Sequence, residues 1–143
     1  MTESEKQTIR DVIERARENG FRELADTMDV MLHSEDPYEI SALEQPAGPN
    51  VGLPFRTGMI LGRELVNKGT DDAKIHDREN FLDSLRDRNK RALADSFEYC
   101  MNRKDEVMSD DFQPAVLPLE GAELFAFGLG LSFSIALERA RKS

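Results

Sequence analysis

The chain has 143 residues, 39% of them hydrophobic, and 28 acidic side chains against 19 basic ones give it a formal charge of -9. That length suits one domain able to bury roughly two-thirds of its unfolded surface, and the negative balance works against phosphate backbones and anionic lipid as partners. The lone Cys100 excludes an internal disulfide, and no N-terminal run joins basic residues to an apolar stretch, so a reduced, cytoplasmic protein without a membrane span is expected.

In chain order, Ile9, Val12, Ile13 and Ala16 recur at helical spacing and predict a helix over about 4–18, stopped by Asn19-Gly20 in the left-handed conformation. Leu24, Met28, Met31 and Leu32 line one face of a second helix that Asp36-Pro37 ends. Prolines and glycines make 45–54 a loop, and Phe55, Met59, Leu61 and Leu65 predict a helix over 55–68. Thr70-Asp71-Asp72 supplies helix-starting groups for a stripe that runs through Phe81, Leu82, Leu85, Leu93, Phe97, Cys100 and Met101 to about Lys104. A second loop with Pro114 and Pro118 follows.

The order repeats itself. A shift of 69 residues lays Leu24-Ala25-Asp26 over Leu93-Ala94-Asp95, Val12-Ile13 over Phe81-Leu82, and Arg17 over Arg86. Gln45-Pro46-Ala47 recurs as Gln113-Pro114-Ala115 at a shift of 68, and Phe55 and Gly58 meet Phe125 and Gly128 at a shift of 70. These near-constant offsets predict an internal duplication, 1–69 and 70–143, within a single helical domain.

From Phe125 to Leu137 large and small apolar residues alternate, which is the period of a strand. The segment carries two glycines, exceeds ordinary strand length and has no second alternating segment to pair with, so a helix over 119–141 is the better reading. Its uncharged run from Leu124 to Leu137 falls short of the ~20 residues that cross a bilayer. On a helix, one channel holds Ala122, Ala126, Gly130 and Ser134, and another Gly128, Ser132 and Ala136. Gly58-x-x-x-Gly62 offers a matching small face, so the expected architecture is an all-α bundle of two pseudo-symmetric halves around a central, buried C-terminal helix.

Chemistry is sparse. Asp26, Asp29 and His33 share a helical face with counterparts Asp95, Glu98 and Asn102, an arrangement by which helical enzymes hold Mg²⁺ or di-iron. This face lies away from the apolar stripe, and the Glu-x-x-His element of di-iron bundles is missing, so solvated ion pairing is the stronger expectation. Arg17, Arg22, Arg86, Arg88 and Arg91 form a repeated basic set suited to phosphates, but Glu18, Glu23, Asp83 and Asp87 interrupt it and no aromatic stacking platform accompanies it. The opposite alternative is an acidic mimic of DNA. Cys100 falls on the apolar face as an inert thiol, His76 reads as a solvated side chain, and Ser132 and Ser134 are expected to bond back to their own helical turn. No cofactor motif is present, and the expected function is protein interaction, as an assembly, adaptor or inhibitor module that binds a protein partner or itself.

Overall fold

A computed structural model describes residues 2–34, 51–67, 72–109 and 111–142. The described residues form an all-α bundle: α1 (Glu3–Glu18), α2 (Arg22–Leu32), α3 (Gly52–Asn67), α4 (Asp72–Asp87), α5 (Arg91–Asn102), the single turn α6 (Lys104–Val107), a 3₁₀ turn at Pro114–Val116, and α7 (Gly121–Lys142). Among them there is no strand, so the alternation in α7 is helical packing.

Local chemistry starts and stops these helices. Thr2 Oγ1 accepts from Glu5 N at 3.1 Å while Thr2 N donates to Glu5 Oε1 at 2.8 Å, a reciprocal cap that satisfies two otherwise orphaned groups. Gly20 ends α1 at φ 87, and Phe21 N donates back to Ala16 O at 2.8 Å. The same closure recurs at Asn89, φ 60, where Lys90 N donates to Leu85 O at 2.7 Å. The stripe read as continuous to Lys104 is therefore two helices. Asn tolerates the left-handed region well enough to break a chain whose apolar spacing gives no sign of a turn.

α3 begins at Gly52, three residues earlier than expected, because Pro54 falls in its first turn where a missing N–H costs nothing. The calls on Asp36-Pro37, Gln45-Pro46-Ala47, Thr70-Asp71 and the His76 side chain lie outside the described residues.

The inner pair is α3 and α7. A Cβ on Gly58 would run into Phe127 O and approach Leu131 N at 2.8 Å; a Cβ on Gly130 would run into Phe55 O and approach Met59 N at 3.0 Å. Backbone touches backbone at both points, which only glycine allows. Ser134 donates to Met59 O at 2.6 Å, bridging the helices. Its Cβ lies where a Cβ on Gly62 would come within 2.8 Å. These contacts are reciprocal at a shift of 72, Phe55 with Phe127 and Gly58 with Gly130, not at the shift of 70 that the sequence suggests.

Two apolar clusters flank this pair. Ile9, Val12, Leu24 and Met28 of α1 and α2 close one side with Phe55, Leu129 and Phe133; Leu85, Leu93 and Phe97 of α4 and α5 close the other with Leu61, Phe127 and Leu131. Each fully buried Leu or Phe contributes roughly 1.5–3 kcal/mol relative to exposure. Cys100 is buried, and desolvation pushes its thiol up to about 12 against the opposing charge of Arg103. Its labelling by a disulfide reagent at pH 8 is expected to track unfolding, slow in buffer and rapid above the urea midpoint; rapid labelling of the native chain would contradict this burial.

Candidate functional site

The two channels of α7 have different fates. Gly130 and Ser134 are closed against α3, and Ala126 is buried beside them, as the small-residue pattern predicts. Gly128 is not: among the described residues nothing lies within 4 Å of a Cβ built there, and Gly128, Ser132 and Ala136 are only half-buried. The central helix is thus enclosed on one side and open along this face, which corrects the expectation of full burial. Ala122, near its start, is exposed.

That open face is the floor of a groove. Its walls are α1, through Val12 and Arg15, and the end of α6 with the segment after it, through Val107, Ser109 and Phe112. The larger compartment has a volume of about 700 Å³ and a smaller one beside it about 460 Å³; Arg15, Val107, Ser109, Ser132 and Ile135 line both. Leu124, Phe125 and Leu129 extend the apolar lining of the larger one. These dimensions match ligand-binding clefts, which are mostly apolar with a few convergent polar groups.

The polar groups here are few and distinct. Arg15 is the one charged residue lining the larger compartment, and among the described residues it makes no ion pair. Ser132 Oγ makes no hydrogen bond among the described residues, against the expectation of a bond to its own turn. Ser109 donates to Glu106 O at 2.7 Å, leaving its oxygen able to accept. Glu5, Asp11 and Arg139 line only the smaller compartment, where Glu5 serves the α1 cap and Asp11 accepts from Gln7 Nε2 at 2.8 Å. Among the described residues that line the groove there is no paired nucleophile and base.

The helix on which Gly128 sits has nothing to recover from that glycine. Gly128→Ala is therefore expected to stabilise the chain by up to ~1 kcal/mol through helix propensity alone, read as a rise in the urea midpoint; a fall would mean that the face is closed.

The acidic candidates are engaged with arginines. Arg17 bonds to Asp29 and lies 3.3 Å from Asp26, and Asp29, with smaller help from Asp26 and Glu14, raises the Arg17 pKa above its ordinary value despite some desolvation. At a shift of 69, Arg86 pairs with Glu98, the counterpart of Asp29, and lies 3.5 Å from Asp83. Asp26 and Asp29 ride on the helix of one apolar cluster and Asp95 and Glu98 on that of the other, with α3 and α7 between. The four carboxylates do not converge, and no group of three metal-ligating side chains occurs among the described residues. His33 stands exposed at the end of α2.

Of the basic set, Arg17 and Arg86 are thus held within helix pairs, while Arg22 and Arg91 start α2 and α5 and Arg88 sits in the Asn89 turn. All of them are exposed, on surfaces shared with the acids.

One cluster escaped the sequence. Glu64 in α3 is 1% exposed, with Oε1 3.4 Å from Arg63 and Oε2 3.5 Å from Arg78 of α4. Oε2 makes no hydrogen bond among the described residues. The one acid of α3, following Arg63 in an otherwise apolar stretch, was the available signal, but the second arginine that answers it comes from another helix. Compared with known proteins, the chain matches no family model, no curated protein and no solved structure.

Proposed function

We propose that this chain is a small helical interaction module that docks an apolar segment of a partner protein in the groove between α1, α7 and the segment after α6. The observation that carries it is the open Gly128 face: the α3-facing channel of the same helix is closed by backbone contact, whereas this one is bordered by Leu124, Phe125, Leu129 and Phe112 and has no occupant among the described residues. Small residues on a helix floor let a partner backbone approach closely, and apolar walls supply the driving force. A cytoplasmic setting, where Cys100 stays reduced, goes with this reading.

The test is differential capture. Immobilised wild-type protein and Gly128→Leu, both shown folded by circular dichroism, are exposed to lysate of the native host. A protein retained by the first and lost by the second supports the groove; equal recovery overturns it. Light scattering on the free chain separates the one special case, since a dimer dissolved by the same substitution makes the partner a second copy.

We also propose that the halves derive from one duplicated helix-turn-helix-plus-inner-helix unit, so that the chain is a fused dimer. The supporting observations are the matched left-handed turns at Gly20 and Asn89, the matched ion pairs Arg17–Asp29 and Arg86–Glu98, and the reciprocal Gly58 and Gly130 contacts.

A further inference from the structure

Resting on that groove reading, we infer that the partner segment carries one carboxylate among its apolar side chains and that Arg15 receives it. Arg15 lines both compartments, as do Ser109 and Ser132, and is the one charged residue along the larger of them. The other arginines of α1 differ: Arg10 lies 4.0 Å from Glu3, and Arg17 is taken by Asp26 and Asp29. A planar guanidinium at the edge of an apolar cleft favours a carboxylate, which it meets with paired N–H donors. A cationic segment would meet Arg15 as a like charge, and a neutral one would gain nothing from this exposed guanidinium.

The acids that line the smaller compartment do not cancel this preference, because Glu5 and Asp11 already accept from Thr2 N and Gln7 and neither reaches the larger one. The chain's charge of -9 repels an acidic partner at long range. A strongly acidic segment is therefore disfavoured, and a single acid placed against Arg15 gives register and selectivity more than affinity.

The charge preference is tested with three probes of one apolar length, octanoate, 1-octanol and octylammonium, titrated into the full chain at low salt and followed by backbone amide shifts in NMR. Octanoate is expected to bind about fivefold more tightly than the other two, with resonances of 107–112 and 124–136 moving. Arg15→Gln is expected to bring the three to equal affinity, and 0.5 M salt to narrow the gap. Equal binding of octanoate and octanol to the wild type, or a preference that survives Arg15→Gln, overturns the inference and leaves the groove standing. Gly128→Leu and, independently, Ser132→Leu fill the floor and are expected to weaken all three probes; if neither does, or if no probe binds, the groove reading falls as well.

Discussion

Gly58→Ala and Gly130→Ala are each expected to lower stability by about 3 kcal/mol or more, the upper end of what overpacking costs, because the new methyl meets main-chain atoms that no rotamer change can move aside. The groups in the way are Phe127 O and Leu131 N for the first, Phe55 O and Met59 N for the second. Urea denaturation followed by circular dichroism reads the effect as a large drop in midpoint with the slope retained. Gly128→Ala serves as the internal standard two positions along the same helix. If Gly130→Ala behaves like Gly128→Ala, the two inner helices are farther apart than described, and the division of α7 into a closed and an open channel is lost.

The second large effect concerns Glu64. Arg78→Met is expected to cost about 3 kcal/mol, since removing one partner of a buried pair leaves a desolvated carboxylate answered from one side alone. Glu64 retains Arg63 at 3.4 Å, but its second oxygen loses the cation 3.5 Å away and has no hydrogen bond among the described residues to fall back on. Adding Glu64→Gln to Arg78→Met is expected to restore part of the loss, because a neutral amide tolerates the site better than an ion. A double-mutant cycle isolates this coupling. Strict additivity would mean that the pair is solvated and structurally idle.

The sequence carried the helical class of α7 and the need of its small residues for a close neighbour, since glycine inside a long apolar run is hard to reconcile with a sheet. It also carried Gly58 as that neighbour. It could not say which of Gly128 and Gly130 faces α3. The two are identical in chemistry and lie about 200° apart on the helix at 100° per residue, and only the rotation of α7 against α3 decides which is covered. The groove forms where α1 and the segment after α6 stand beside the glycine left uncovered, a placement to which no periodicity pointed. The register error has a similar root: Phe125 and Phe127 are equal candidates to match Phe55, and it is the backbone contact that selects Phe127. Phe125 instead stacks on Phe21 with centroids 4.8 Å apart, at the turn between α1 and α2. The break at Asn89 was hidden because Leu85 and Leu93 keep helical spacing across it, while its counterpart Gly20 announced itself by residue type. The acids at 26, 29 and 98 were correctly placed off the apolar face, and their arginine partners follow from the short turns that fold each helix pair back on itself.

Both apolar clusters draw on both inner helices: Phe55 and Met59 point to one flank, Leu61 and Leu65 to the other, and Leu129 with Phe133 parts from Phe127 with Leu131 in the same way. Neither flank owns a private core. Loosening one side strips a wall from the opposite side, so disruption of either cluster is expected to carry the other with it in one cooperative transition.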